Sequence, residues 1–272
     1  MSLEETKRLL RTFRIVPNRL LGQNFMVDSK FYPKLSEYAA ISSADVVLDA
    51  GAGFGFLTRF LAGKCKTVVA VEKDPRVVSA LRENVKDCAN VTVVEGDVLK
   101  VRLPAFDKVV AIPPYYLSSR LIAWLLQRKT ACVVLVLQRE FAAKLLAPVG
   151  SEDYGWLTVL AFHDVEVDLL DAVPKSAFCP QPEVDSVIVR LARWETVPFT
   201  VTNDALFNRL VRWLFTQRNK KVCNALVPFL QNARKVDKAE AEMLASKAPF
   251  ADRRARTLSP REFGELADAV AV

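Results

Sequence analysis

Three glycines in one short segment are the first residues whose spacing could serve chemistry. Gly51, Gly53 and Gly55 lie in DAGAGFGFLT (49–58), directly after the apolar run VVL. Glycine lets a backbone approach a ligand where a Cβ would collide, although a tight strand-to-helix turn needs glycine for its own sake. The order GxGxG departs from the GxGxxG fingerprint of dinucleotide-binding folds, which disfavours a nicotinamide cofactor.

Two acidic residues end the next two predicted strands. Glu72 lies 21 positions after Gly51 in TVVAVEKD, and Asp97 ends VTVVEGD. A carboxylate at the first of these positions can accept hydrogen bonds from ribose hydroxyls, and the carboxyl edge of an open α/β sheet is where ligands bind. Either acid alone could be a helix cap. Together with the glycine turn they indicate a nucleoside pocket, and without a phosphate-cradling lysine motif S-adenosylmethionine fits it better than a nucleotide.

The fourth predicted strand runs into a proline-rich corner made of Ile112, Pro113, Pro114 and Tyr115. Two successive prolines cannot continue a ladder, so the chain must leave the sheet here. Backbone carbonyls and an aromatic ring are what methylation of an exocyclic amine requires, because acceptors orient the N–H groups and the ring stacks the base. A structural loop with packed tyrosines is the alternative interpretation.

A parallel α/β sheet would position these residues. Its predicted strands are VVLDAG, TVVAVEKD, VTVVEGD, DKVVAIPPYY and ACVVLVLQ, with helices such as FLTRFLAGK and PRVVSALRENVKD between them. The strands do not alternate apolar and polar residues, so both faces are covered. VEVDLLDAV and VDSVIVRL are expected to add strands at the far edge, in antiparallel orientation.

The pattern changes to helices after Trp194. One helical stripe carries Leu206, Phe207, Leu210, Val211, Leu214 and Phe215, as expected for an amphipathic helix. In LSPREFGELADAV, Ser259 is a predicted cap and Pro260 the first helical residue. We therefore expect an α/β, Rossmann-like domain over 1–197 and a small C-terminal helical domain over 198–272.

Composition excludes several classes of protein. Lys plus Arg total 38 and Asp plus Glu 31, which gives +7 and a pI near 9.2. The five cysteines are scattered and His163 is the single histidine, so we expect no metal site, reduced thiols and a cytoplasmic location.

The charged N-terminal segment has no signal-peptide core, and the longest apolar runs are strand-sized, so no membrane association is expected. Nothing in the sequence argues for an oligomer, and we expect a monomer.

Positive charge is concentrated near both ends of the chain. The first group comprises Lys7, Arg8, Arg11, Arg14 and Arg19; the second comprises Arg209, Arg212, Arg218, Lys220, Lys221, Arg253, Arg254 and Arg256. Two such groups predict a track for RNA phosphates with salt-sensitive affinity. Arg218 and Lys221 could instead pair with acids of the helical domain.

Nearly the whole chain resembles the small-subunit ribosomal RNA adenine N6-dimethyltransferases, which are similar to the erythromycin-resistance rRNA methylases and the mitochondrial transcription factor B proteins. The resemblance rests on LGQNFMVD (21–28), DAGAGFGFLT, VEKD, EGDVL, AIPPYYLSS, QREFAAKL, YGWLTV, FCPQPEVDSVIVRL, FTQRNKKVCNAL and RTLSPREFGELA. It implies a class I methyltransferase fold and N6-methylation, mono- or dimethylation, of adenosines in a small-subunit rRNA loop during ribosome biogenesis.

The resemblance also implies roles for individual residues. S-adenosylmethionine would be held at its methionine end by Asn24 and Met26. The other residues implied at the cofactor are Gly51, Gly53, Glu72 for the ribose, Asp97 for the adenine amine, and Ile112. The implied catalytic set is Ile112, Pro113, Pro114, and the two aromatics flanking the target adenine, Tyr115 and Phe178.

One position departs from the family pattern. The resemblance calls for Asn, Asp or Ser where this chain has Ile112. Isoleucine has no acceptor for the target amine, and losing one preorganised polar contact costs ~10²–10³ in rate in other active sites. The Pro113 carbonyl could still accept a hydrogen bond. We expect a slower enzyme; the alternatives are an rRNA-binding assembly factor without catalysis, a large-subunit rRNA methylase and, least favoured, a mitochondrial transcription factor.

Overall fold

The computed structural model describes residues 3–18, 22–128 and 130–271. The chain forms two compact units, Met1–Ala142 with Glu166–Arg193, and Ala143–Val165 with Trp194–Val272. The second unit therefore includes 143–165, a segment that the predicted division at residue 197 places in the first domain. Within the described residues, no helix combines the length and the apolar character that crossing a bilayer requires.

The first unit is built on a mixed seven-stranded sheet in the order β4-β3-β2-β5-β6-β9-β7. The strands are β2 (Val46–Ala50), β3 (Thr67–Glu72), β4 (Val91–Glu95), β5 (Lys108–Ala111), β6 (Cys132–Gln138), β7 (Val165–Val173) and β9 (Ser186–Arg193). β4, β3, β2, β5 and β6 are parallel, and β9 runs antiparallel to β6. The five parallel strands and the antiparallel β9 confirm the sheet predicted from the sequence.

The central strands are buried on both faces because helices cover them. Val133 to Leu137 of β6 are each at most 4% exposed, which explains why the sequence shows a continuous apolar run. The helices of this part of the chain are α1 (Leu3–Thr12), α2 (Phe31–Tyr38), α3 (Phe56–Ala62), α4 (Pro75–Asn84), α5 (Ser118–Leu126) and α6 (Arg139–Lys144). α4 begins with Pro75 after an Asp74 cap, whose carboxylate accepts the Arg76 N–H at 3.1 Å.

A second, two-stranded sheet was not predicted. β1 (Phe25–Met26) pairs antiparallel with β8 (Phe178–Cys179), and Met26 lies opposite Phe178. This pairing joins two segments that are about 150 residues apart in the sequence, GQNFM and FCPQP. It therefore fixes two of the predicted site residues against each other.

The second unit contains the helices α7 (Trp156–Asp164), α8 (Asp204–Thr216), α9 (Val222–Arg234), α10 (Lys238–Lys247) and α11 (Pro260–Ala271). Of the predicted stripe on α8, Phe207, Leu210, Val211 and Leu214 are buried, whereas Leu206 and Phe215 are partly exposed. α11 begins at Pro260 as predicted. Ser259 accepts the Glu262 N–H at 3.3 Å, and the Glu262 carboxylate accepts the Ser259 N–H at 2.7 Å, which forms a capping box.

Candidate active site

The glycine turn lies between β2 and α3, and its shape depends on positive φ angles. Gly51 has φ +82° and Gly53 φ +56°, a region that disfavours other residues. A Cβ on Gly51 would lie 2.8 Å from Cδ of Pro114, and one on Gly53 would lie 3.2 Å from the Phe25 ring. The turn therefore packs directly against the proline corner on one side and the β1 segment on the other.

Glu72, at the end of β3, stabilises this turn through hydrogen bonds to its backbone and to the residues that follow β3. Its carboxylate accepts the backbone N–H of Gly53 at 3.0 Å, of Lys73 at 2.7 Å and of Asp74 at 3.0 Å. Burial raises the pKa of Glu72, and these three donors oppose the rise. A carboxylate has about four acceptor sites, so one site remains for a ligand hydroxyl.

Asp49 lies beneath the turn and was not singled out as a functional residue in the sequence. It is 1% exposed, and Oγ1 of Thr58 donates to it at 2.6 Å. Burial raises the pKa of this carboxyl to about 7, an effect that the Thr58 hydrogen bond opposes and the neighbouring Glu72 reinforces. Asp49 therefore titrates near neutrality at the floor of the site.

Most of the predicted cofactor residues meet at one cavity, which we call the sheet-edge cavity. Its lining includes Asn24, Gly51, Gly53, Glu72, Asp97, Ile112 and Pro114. Asp97 follows β4 and lies 4.0 Å from Nζ of Lys73. A smaller inner cavity shares Asn24, Gly51, Gly53 and Ile112 and adds Met26 and Asp49. The structure thus brings together residues that five separate sequence segments supply.

Several lining residues were missed in the sequence. Gly22, Gln23, Phe25, Lys73, Asp74, Gly96, Val98, Tyr116 and Leu117 also line the sheet-edge cavity. Gln23 Nε2 donates to Asp74 at 3.0 Å, and Phe25 stacks on Phe54 with ring centroids 4.2 Å apart. The position of Gln23 beside Asn24 is the one signal that could have identified it. Leu21, the first residue of the segment LGQNFMVD on which the resemblance partly rests, lies outside the described residues.

Some residues of the proline corner line the cavity and others pack in the core. Ile112 lines both cavities and packs against the main hydrophobic core. Pro114 lines the sheet-edge cavity, whereas Pro113 is buried and does not. Of the two tyrosines that follow, Tyr116 lines the cavity and is 45% exposed.

Tyr115 and Phe178 form a separate aromatic pair. Their ring centroids lie 6.5 Å apart with the planes at 71°. The hydroxyls of Tyr115 and Ser186 are hydrogen-bonded at 2.6 Å, and Phe178 is only 2% exposed. Neither ring lines the two cavities described above. The predicted base-stacking residues are therefore adjacent to each other, with Phe178 covered in this conformation.

Several of the basic residues already have partners within their own unit. Lys7 pairs with Glu4 at 3.0 Å, and Lys221 with Asp252 at 2.9 Å. Arg218 donates to the carbonyls of Ser151 and Glu152 rather than to an acid, Arg253 pairs with Glu262, and Arg254 donates to the carbonyl of Asn219. Arg19 lies outside the described residues. Across the residues that are described, no three His, Cys, Asp or Glu side chains group as a metal site would require.

Comparison with known proteins identifies the family. A family model described as ribosomal RNA adenine dimethylase matches residues 17–259. A probable ribosomal RNA small subunit methyltransferase A of Methanosarcina acetivorans is 38% identical, with 90% of this chain and 91% of that protein covered. The corresponding protein of Geobacillus sp. strain WCH70 is 32% identical, with 97% and 95% covered.

This chain belongs to the ribosomal RNA adenine dimethylase family. The structural similarity extends over almost the whole length. A dimethyladenosine transferase from Plasmodium falciparum superposes with a TM-score of 0.72 at 29% identity, covering 89% of this chain and 95% of that one. The 23S rRNA methyltransferase ErmE superposes with a TM-score of 0.63 at 28% identity, covering 92% and 100%. The Rossmann-like methyltransferase fold expected for this family is confirmed.

Proposed function

We propose that this protein is an S-adenosylmethionine-dependent methyltransferase that adds one or two methyl groups to N6 of adenosines in small-subunit rRNA during ribosome assembly. The observation that carries the proposal is the contact between the glycine turn and the proline corner, where Gly51 leaves room for the Pro114 ring. A base held at the proline corner would therefore lie next to a methyl donor held at the glycine turn. Family membership adds the substrate class, an adenine of ribosomal RNA.

The residues around the sheet-edge cavity fit S-adenosylmethionine. Glu72 has one acceptor site left after its three backbone donors, which suits a ribose hydroxyl. Asp97 would accept the adenine amine, Asn24 and Met26 would contact the methionine end, and the backbone at Gly51 and Gly53 would lie beneath it. When bound, S-adenosylmethionine supplies an electrophilic methyl group on its sulfonium.

The proline corner would orient the target amine. The Pro113 carbonyl would accept one amine N–H, and Tyr115 and Phe178 would hold the adenine ring by stacking. Ile112 excludes water from the corner and adds no acceptor. Orientation would therefore depend on backbone carbonyls, so we expect an active but slower enzyme. The neutral adenine amine would attack the methyl carbon as its bond to sulfur breaks, leaving S-adenosylhomocysteine, and the methylated nitrogen would then lose a proton to solvent, so no general base is required of the single histidine.

The remaining partner is RNA of the assembling small subunit. We assign donor binding to residues 1–197 and RNA-backbone binding to the helical region 198–272, where basic residues such as Lys220 and Arg256 are exposed. We further propose a monomer acting in the cytoplasm. The five cysteines, all free, support a reducing compartment.

The test is transfer of labelled methyl from S-adenosylmethionine to unmodified small ribosomal subunits, followed by digestion of the RNA and separation of mono- and dimethyladenosine. Ile112→Asn is assayed alongside, and Ile112→Val is the matched control that keeps an apolar residue. Label at N6 with the parent protein, rising by up to ~10²–10³-fold with Ile112→Asn only, supports the proposal. Label with Ile112→Asn alone would mean an assembly factor, and label in neither would refute the substrate assignment.

A further inference from the structure

The second unit contains a groove between α8 and α9 that the proposed reaction does not use. Its volume is about 340 Å³, within the ~300–1,000 Å³ range of small-molecule sites. Arg209, Arg212 and Trp213 line it from α8, and Pro228, Phe229 and Asn232 line it from α9. We call it the α8–α9 groove. None of its lining residues is acidic.

Two uncompensated cations dominate the groove. Arg209 and Arg212 are three positions apart and so share one face of α8. Among the residues that the structure describes, neither forms an ion pair or a side-chain hydrogen bond. Each guanidinium lies over an aromatic ring instead, Arg209 at 5.3 Å from the Phe229 centroid and Arg212 at 4.1 Å from that of Trp156. Burial also lowers the pKa of Arg212, so this cation is partly desolvated without a counter-charge.

The floor of the groove is apolar. The indole N–H of Trp213 donates to the Ala225 carbonyl at 2.8 Å, which fixes the ring and uses its only polar atom. The Trp213 and Phe229 rings lie 6.3 Å apart at 45°, and Pro228 adds a further apolar surface. Asn232 is exposed one turn beyond Pro228 and forms no side-chain hydrogen bond with the described residues. The groove therefore combines an apolar floor, two cations and an amide that has no side-chain partner among the described residues.

We infer that the α8–α9 groove binds an unpaired nucleotide of RNA, with its base on the partly exposed Trp213 ring and the exposed Pro228 and its phosphates at Arg209 and Arg212. Aromatic floors bind single-stranded bases with little regard to sequence because every base has a π-face. Guanidinium groups match phosphate geometry, and Asn232 can hydrogen-bond a base edge. This inference rests on the proposed function and deepens it, because it names the single-stranded class of RNA that the helical domain holds.

The experiment measures binding of the full-length protein to a mixed-sequence, single-stranded RNA octamer by fluorescence anisotropy across a salt series. The same octamer as a duplex and an acidic octapeptide are the comparison ligands. Arg209→Gln removes an exposed cation of the groove, and Asn232→Ala removes the amide. Lys247→Gln is the matched control, since Lys247 is an exposed cation of α10 outside the groove. Circular dichroism verifies that every variant is folded.

Each phosphate contact to a single strand contributes ~0.7 to the slope of log affinity against log salt. Arg209→Gln should therefore lower the slope by about 0.7 and weaken octamer binding about fivefold at ~0.1 M salt, while Lys247→Gln changes affinity less than twofold. The duplex, whose bases are stacked and paired, should bind with no dependence on Asn232. Equal slopes for Arg209→Gln and Lys247→Gln would overturn the inference. Binding of the peptide in preference to the octamer would also overturn it, in favour of a protein partner.

Methyl transfer to small subunits separates this inference from the proposed function. Arg209→Gln should raise KM for subunits about fivefold with kcat unchanged, because the groove lies outside the reaction site. If the parent protein methylates subunits and Arg209→Gln has the same KM as Lys247→Gln, nucleotide binding in the groove is refuted and the proposed methyltransferase function stands. If the parent protein transfers no methyl group but binds the octamer through Arg209, the proposed methyltransferase function is refuted and nucleotide binding in the groove stands.

Discussion

The contact between Gly51 and Pro114 makes a quantitative prediction about catalysis. In Gly51→Ala the new Cβ would lie 2.8 Å from Cδ of Pro114, whereas ordinary contact begins near 3.4 Å, so the proline ring must retreat by about 0.6 Å. Misplacement by ~1 Å at a reacting centre can cost 10²-fold in rate. We therefore expect Gly51→Ala to lower methyl transfer by on the order of tenfold or more.

The matched control is Gly150→Ala. Gly150 has φ +84°, close to the +82° of Gly51, but a Cβ there would meet nothing within 4 Å. Both variants pay the cost of a left-handed alanine, ~1–2 kcal/mol, so both should lower the thermal midpoint by a few degrees. Only Gly51→Ala should lower methyl transfer, because only its Cβ contacts the proline corner.

A double variant tests the steric explanation directly. Alanine has no Cδ, so Pro114→Ala removes the atom that the Gly51→Ala methyl would strike. Adding Gly51→Ala to Pro114→Ala should then cost far less activity than adding it to the parent, a coupling of about 1.4 kcal/mol for a tenfold effect. A folded Gly51→Ala protein with at least half of the parent transfer rate would refute the reasoning. An equal loss in both backgrounds would refute it too.

Three further predictions concern stacking, titration and capping. Tyr115→Ala should lower methyl transfer at least tenfold, while Tyr115→Phe, which keeps the ring and loses only the hydroxyl contact to Ser186, should lose less than fivefold; equal losses would argue against stacking. The pKa of Asp49 is raised by burial to about 7, so the folded protein keeps a proton between about pH 4 and 7 that the unfolded chain has released, and stability falls as pH rises through that window. Asp49→Asn should remove most of this dependence, which amounts to a few kcal/mol on an order-of-magnitude basis, and urea midpoints from pH 5 to 8 that retain the parent slope would contradict it. Ser259→Ala should lower the free energy of unfolding by ~1 kcal/mol through loss of the cap on α11, as measured by urea denaturation, with no change in methyl transfer.

The sheet could be predicted because its burial is visible in the sequence. Strands such as β6 are covered on both faces, so they appear as uninterrupted apolar runs that no surface element would tolerate. The start of α11 was equally visible, since Ser259 and Pro260 act through local hydrogen bonds and a fixed φ. Both features leave their signal within a few consecutive residues of the sequence.

Features that depend on distant partners could not be predicted in this way. The strands β1 and β8 have two residues each, too few to show any periodicity. Segment 143–165 belongs to the second unit, although YGWLTV carries no signal that distinguishes it from the helices of the first. The buried hydrogen bond from the Tyr154 hydroxyl to the Leu258 carbonyl, at 2.8 Å, shows why, because this contact crosses more than a hundred residues.

Within the candidate site, the resemblance identified residue types better than it identified orientations. Tyr115 and Tyr116 are adjacent, and a sequence cannot say which of them faces a cavity. Only Tyr116 lines the sheet-edge cavity, because the short 3₁₀ turn at Tyr115–Leu117 points the two rings in different directions. The placement of Tyr115 beside Phe178 is likewise a contact between residues far apart in the sequence.

Ile112 shows how the site can depart from its family pattern and remain intact. The side chain lines both cavities and also packs against the core. It therefore adds apolar packing at a position where a polar residue would add a hydrogen-bond acceptor. A buried amide at this position would need its own partners, at a cost of ~1–3 kcal/mol if one were missing. The backbone carbonyls of the corner do not depend on side-chain identity, because Pro113 and Pro114 fix the path of the chain. We therefore expect the activity of Ile112→Asn to rise and its free energy of unfolding to fall relative to the parent protein.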